Sequence, residues 1–131
     1  MDELPIRSGD DVVRVRQQVR NAAAEHGLSL VDQTKLVTAA SELARNTLVH
    51  GGGGAARIEV VKSASGRAGV KLYFTDQGPG IADIGLALTD GWTSGNGLGL
   101  GLSGARRLVD EFELNSKPGA GTSVVVVKWS R

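Results

Sequence analysis

Two apolar segments, Arg57-Ile58-Glu59-Val60-Val61-Lys62 and Val70-Lys71-Leu72-Tyr73-Phe74-Thr75, are separated only by the polar turn Ser63 to Gly69. Both carry β-branched or aromatic residues between turn formers, the pattern of strands. The connection is too short for a helical crossover, so the two strands are expected to pair antiparallel. That directs the whole chain towards a sheet that is mainly antiparallel.

Around this pair the chain places helices first and strands last. Leu4 to Arg7 reads as a short edge strand. Ser8 stands three before Asp11, a capping-box arrangement, and Val12, Val15, Val19, Ala22 and Ala23 follow at helical spacing until Gly27 stops them. Ser29 and Asp32 open a second helix in the same way. It runs to about Val49, with Leu36, Val37, Ala40, Leu43, Ala44 and Leu48 as its apolar face, and Gly51 to Gly54 end it. After the strand pair, Asp83 to Leu88 reads as a short helix and Thr89 to Gly97 as loop. A helix from Leu98 to Phe112 follows, then strands Glu113–Lys117 and Thr122–Trp129 around the turn Pro118-Gly119-Ala120-Gly121. The expected fold is α/β: a two-layer sandwich of a mixed, mainly antiparallel sheet with helices on one face. No repeat or linker divides it, so residues 1–131 are expected to form a single domain.

Composition narrows the function classes. A net charge of +1 advertises no basic face, which argues against nucleic acid as the partner. There is no cysteine, so a disulfide framework, a thiolate metal site and a cysteine nucleophile are all excluded, which is compatible with the expected cytoplasmic setting without proving it. The start, Met1-Asp2-Glu3-Leu4-Pro5, has neither a basic nor an apolar leader region, and no apolar run reaches membrane-spanning length, so no membrane role is expected. Glycine is the outlier, 19 of 131 residues, and it is concentrated at 51–54, 78–85 and 91–104. Clustering of that kind marks loops and not a low-complexity chain.

The densest cluster alternates glycine with other residues, Gly95-Asn96-Gly97-Leu98-Gly99-Leu100-Gly101-Leu102-Ser103-Gly104, and runs into Ala105, Leu108, Val109 and Phe112 at helical spacing. Glycine lets a ligand approach the backbone, and a helix start offers unpaired N–H groups and the positive end of the dipole. The stretch is a candidate phosphate grip. Neither the dinucleotide fingerprint nor a Walker loop is present, so on these residues alone a plain surface loop explains them equally well.

Two other places carry chemistry. Glu42 and Asn46, four apart on the second helix, share a face. The ordinary reading pairs Glu42 with Arg45 in solvent. The functional reading gives Asn46 an amide oxygen for Mg²⁺, which needs few protein ligands, and makes Glu42 a general base on an attacking hydroxyl. Asp76 ends a strand and precedes Gln77-Gly78-Pro79-Gly80-Ile81. It is either a turn initiator or an acceptor for an exocyclic amine, with Gly78 and Gly80 admitting a ring against the backbone. His50 has no second ligand at metal spacing and reads as a helix C-terminal residue. Trp92 and Trp129 read as packing residues.

In order, Glu42…Asn46 on a helix, Asp76-x-Gly78-x-Gly80 after a strand, the Gly97–Gly101 loop before a helix and Gly121-Thr122 on the last strand resemble the ATP-binding fold shared by gyrase, Hsp90, histidine kinases and MutL (the GHKL, or Bergerat, fold). Ser41-Glu42-Leu43-Ala44-Arg45-Asn46, Asp76 to Ile81, and Leu108 to Phe112 with Leu114-Asn115-Ser116 are most similar to the small bacterial serine kinases and anti-sigma factors, in particular the switch kinases of the stressosome. The resemblance spans nearly the whole chain. It implies ATP and Mg²⁺ as cofactors, with Asn46 on the metal and Glu42 as the base. It places Asp76 on the adenine amine with Gly78, Gly80 and Ile81 beside the base. Gly97, Leu98, Gly99, Leu100, Gly101 and Leu102 become the lid over the phosphates, and Thr122 lies near the adenine.

The implied activity is a serine/threonine kinase that phosphorylates a STAS-domain protein and, once released, activates a PP2C-type phosphatase. The rival is an anti-sigma factor that sequesters a sigma factor and is displaced by a STAS antagonist. Both use the same ATP site. The chain has no phosphoacceptor-histidine domain and no room for the further domains of gyrase or MutL, which argues against those branches.

Overall fold

The computed structural model describes residues 3–80 and 101–131. In chain order the elements are β1 (Glu3–Ile6), α1 (Gly9–Glu25), α2 (Leu30–Val49), β2 (Gly54–Lys62), β3 (Ala68–Asp76), α3 (Gly101–Arg107), β4 (Glu111–Ser116) and β5 (Thr122–Trp129). The strands form one sheet in the order β1-β2-β3-β5-β4. Every pairing among them is antiparallel, so the described sheet has no mixed character.

Alternation along the strands builds the core. Ala56, Phe74 and Val124 are register partners, as are Ile58, Leu72 and Val126, and all six are buried. These two rows face Ile6 and the apolar stripes of the helices, among them Val15, Val19, Leu36 and Leu43. α2 packs on α1 and α3 and over β3, which makes it the central helix of the layer. Its burial removes apolar surface from water at roughly 25 cal/mol per Å², the main term holding the two layers together.

The helix starts differ in how they are capped. At α2 the Ser29 hydroxyl accepts the Asp32 N–H at 3.1 Å, as the spacing predicts. At α1 the Ser8 side chain makes no cap bond. There Asp11 reaches back one residue further, its Oδ2 accepting the Arg7 N–H at 2.8 Å. That backbone bond, with Arg14 nearby, holds the Asp11 carboxyl below its ordinary value although desolvation pushes it the other way.

The expected helix from Leu98 to Phe112 is corrected. α3 ends at Arg107, Leu108 N–H bonds the Ala105 carbonyl in a tightened last turn, and Asp110 N–H already joins the sheet at Val127. Phe112 pairs with Val126 in β4, where Phe112, Leu114 and Ser116 alternate inward. The expected helix Asp83–Leu88 and loop Thr89–Gly97 lie outside the described residues, as does Trp92. Trp129 packs over Gly69, where a Cβ would lie 2.5 Å from its ring, and its indole N–H donates to Glu111 at 2.7 Å. Among the described residues no helix is long and apolar enough to cross a membrane.

Candidate functional site

Glu42 and Asn46 occupy the C-terminal half of α2, one turn apart. Glu42 is 9% exposed, and its Oε1 accepts the Gly101 N–H at 2.9 Å. Gly101 opens α3 with a φ of 71°, so a carboxylate from another helix satisfies a donor that a helix start leaves unpaired. The reading of Glu42 as a solvent partner of Arg45 is thereby corrected. Asn46 is half-buried, and among the described residues nothing pairs with its side-chain amide. Its backbone carbonyl accepts the N–H groups of His50 at 2.9 Å and Gly51 at 3.2 Å, which closes the helix. His50 is the C-cap, as its place before the glycines indicates.

The glycine run then carries the chain from α2 to β2. Gly53 N–H returns to the Thr47 carbonyl at 3.0 Å, and a Cβ at Gly54 would strike the Thr75 carbonyl and lie 2.8 Å from the Thr47 methyl. The end of α2 therefore rests directly on the end of β3. Asp76 is the last residue of β3, flanked in register by Gly54 on one side and Thr122 on the other. Its Oδ1 accepts the Gly78 N–H at 2.8 Å. Among the described residues no donor meets Oδ2, so the carboxylate is both a turn former and an open acceptor.

The β4–β5 hairpin clamps the turn that leaves Asp76. Gly119 N–H donates to the Pro79 carbonyl at 2.7 Å, and a Cβ at Gly80 would strike the Lys117 carbonyl. Gly80 and Gly121 have φ of 76° and 79°, a region that only glycine enters freely. Neighbouring backbone thus accounts for glycine at 78, 80 and 121, a reason the residue pattern did not supply. Thr122 Oγ1 is 2.8 Å from Ser116 Oγ, and Ser116 Oγ also donates to the Gly121 carbonyl at 3.0 Å.

Where α2 and β3 end, the loop at Gly51 links Asn46 to Asp76, Gly78, Gly80 and Thr122, and one turn back along α2 Glu42 meets Gly101. Leu102, in the first turn of α3, is buried in the core. Ile81, Gly97, Leu98, Gly99 and Leu100 lie outside the described residues. Sequence reasoning missed Gly51, whose role comes from its contact with Asp76, and Thr47 and Ser116, whose contacts close the neighbouring loop and hairpin. The glycine density at 51–54 was the available signal for Gly51.

Residues 31–130 match the family described as histidine kinase-, DNA gyrase B-, and HSP90-like ATPase. The chain belongs to this family. Among curated members it is 48% identical over 121 residues to the serine/threonine-protein kinase RsbT of Bacillus subtilis (strain 168), covering 92% of this chain and 90% of that one. It is 28% identical over 117 residues to the anti-sigma F factor of Thermoanaerobacter sp. (strain X514), covering 87% and 82%. Of solved structures, the RsbU and RsbW domains of Rv1364c from Mycobacterium tuberculosis align with a TM-score of 0.61 at 23% identity, over 100% of this chain and 33% of that one. The chain spans about a third of that protein. The mycobacterial sensor histidine kinase MprB aligns with a TM-score of 0.56 at 20% identity, over 99% and 97%. At such identities these two likenesses show the shared fold alone, the two-layer sandwich that the residue pattern implied.

Proposed function

We propose that this chain is an ATP-dependent protein serine/threonine kinase of the RsbT type, one ATP-binding domain over residues 1–131, acting in the cytoplasm. It would phosphorylate a STAS-domain partner in stress signalling through the stressosome and, when released, activate a PP2C-type phosphatase. The observation that carries the reading is the link from Asn46 through Gly51 to Asp76 where α2 and β3 end, with Glu42 one turn back on α2, in a chain 48% identical to a serine/threonine kinase. The anti-sigma reading rests on 28% identity and is the weaker of the two.

The donor set fits ATP and Mg²⁺. Asp76 Oδ2 is an open acceptor suited to the adenine amine, with the Thr122 hydroxyl on the neighbouring strand. The Asn46 amide offers a neutral oxygen to a metal that completes its shell with water and phosphate. Bound Mg-ATP supplies the phosphoryl group and the charge neutralisation that its transfer requires. Gly101 N–H orients the Glu42 carboxylate through Oε1, which leaves Oε2 to accept the proton of an incoming serine or threonine hydroxyl. Gly97 to Leu102 would border the phosphates, and Gly78, Gly80 and Ile81 the base.

The test is phosphate transfer from radiolabelled ATP to purified STAS-domain proteins with Mg²⁺ present. Transfer to a serine or threonine supports the kinase. A chain that transfers nothing yet holds a sigma factor tightly gives the case to the rival. Asp76→Asn is expected to weaken ATP roughly tenfold or more, because the amine then faces an amide in place of a carboxylate and a buried unpaired donor costs about 1–3 kcal/mol. The new amide oxygen still accepts from Gly78, so the fold survives, and unchanged affinity by calorimetry would remove Asp76 from the adenine. Asn46→Ala is expected to abolish the Mg²⁺-dependent part of ATP affinity while leaving the metal-free part intact.

A further inference from the structure

Gly51 has a different reason to be glycine from the residues beside it. Gly52 and Gly53 have φ of 74° and 104°, which side chains rarely adopt, whereas Gly51 is not among the positive-φ residues. Its requirement is space, and the three atoms nearest to it belong to one residue. A Cβ at Gly51 would strike Asp76 Cγ and lie 2.5 Å from its Cβ and 2.6 Å from its Oδ2. On the other side, a Cβ at Gly78 would lie 2.6 Å from Gly51 Cα and 2.8 Å from its carbonyl oxygen. The Asp76 side chain therefore stands between a backbone donor on Oδ1 and the bare Cα of Gly51. Gly51 is itself held by its N–H on the Asn46 carbonyl at 3.2 Å.

We propose that Gly51 is a positioning residue for base selection: its missing side chain fixes where Asp76 presents its open oxygen, and so sets preference for a purine bearing a 6-amino group. The inference rests on the reading of Asp76 as the adenine acceptor and adds to it. Through the Gly51–Asn46 bond the base-recognising carboxylate and the proposed metal ligand share one stretch of backbone. An Asp side chain has few rotamers, and the one present uses the space that the missing Gly51 side chain leaves. Alanine at 51 would force Asp76 out of that rotamer or the loop away from β3, and either moves Oδ2 by a distance that matters to a hydrogen bond.

The experiment measures Mg²⁺-dependent affinity of the full chain for ATP and for inosine triphosphate, whose 6-carbonyl replaces the amine. The unsubstituted chain should prefer ATP by about tenfold or more, since a site built to hydrogen-bond an amine rejects an analogue lacking it. Gly51→Ala should lose most of that preference, with ATP weakened and inosine triphosphate nearly unchanged. Equal weakening of both nucleotides, or no change in either, overturns the proposal, because a merely structural glycine would not discriminate between them. Asp76→Asn separates the two ideas. If it keeps the preference for ATP, the adenine reading falls and the role of Gly51 falls with it. If it loses the preference while Gly51→Ala keeps it, Gly51 alone is overturned. Should Gly51→Ala fail to fold, the double variant Gly51→Ala/Asp76→Gly is compared with Asp76→Gly. Recovery of folding supports steric control of Asp76, and an unfolded double variant places the clash elsewhere and refutes it.

Discussion

Glu42→Gln is expected to lower phosphate transfer to a STAS partner by about 10²-fold or more, with Mg-ATP and partner affinity retained. Glutamine keeps the size of the side chain and an Oε1 that can still accept the Gly101 N–H, so the contact between α2 and α3 survives. What it loses is the second carboxylate oxygen and with it the capacity to take a proton. Glu42→Ala goes further, because it strips the acceptor from the buried Gly101 N–H as well, at a cost of about 1–3 kcal/mol. The alanine variant should therefore be less stable to heat than the glutamine variant and equally inactive. Radiolabelled transfer, calorimetry and thermal unfolding on both variants check the pair. A glutamine variant with full activity would leave Glu42 as an anchor for α3 and remove it as the base.

That double duty shows where the residue pattern stops being legible. Spacing placed Glu42 beside Asn46 and bounded α2 correctly at Val49, because a helix with a serine cap and a glycine stop is written locally. It could not reveal that Glu42 turns inward, since its partner is 59 residues away in the chain. Phe112 shows the same limit in another form. Leu108, Val109 and Phe112 recur at helical spacing, yet pairing with Val126 draws Phe112 into β4, and tertiary pairing overrides the local period. The glycines around Asp76 were legible as a cluster, but their causes were not. Gly54, Gly80 and Gly121 each lie where a Cβ would strike a backbone carbonyl of another segment. Asp32 read as the second half of a capping box. Its backbone N–H does cap, while its carboxylate reaches a lysine at the far end of the chain.

That lysine carries the second large effect. Lys128→Ala is expected to lower the unfolding free energy by about 3 kcal/mol, the low end for breaking a buried ion pair from one side. The alternation of β5 that buries Val124 and Val126 also turns Lys128 inward, where it is 4% exposed. Its Nζ lies 3.6 Å from Asp32 and 3.5 Å from Asp110, so it joins the start of α2 to the start of β4. Among the described residues, removing it leaves Arg131 as the one cation on the two carboxylates, 2.7 Å from Asp110 and 3.5 Å from Asp32. Arg131 is 58% exposed and screened by water, which keeps the loss from being larger but does not replace the buried charge. Denaturant titration of both chains measures the difference, and a change under 1 kcal/mol would mean the network is neutral in sum. Acidification provides an independent check. Burial alone would raise the Asp110 pKa, but the Trp129 backbone N–H, Lys128 and Arg131 together hold it below its ordinary value. A carboxyl depressed on folding stabilises above its unfolded pKa and loses that contribution as pH falls through the folded one. The Lys128→Ala chain has one cause of that depression fewer. Its stability should therefore fall less steeply below about pH 4, and the two curves should converge as the carboxylates protonate.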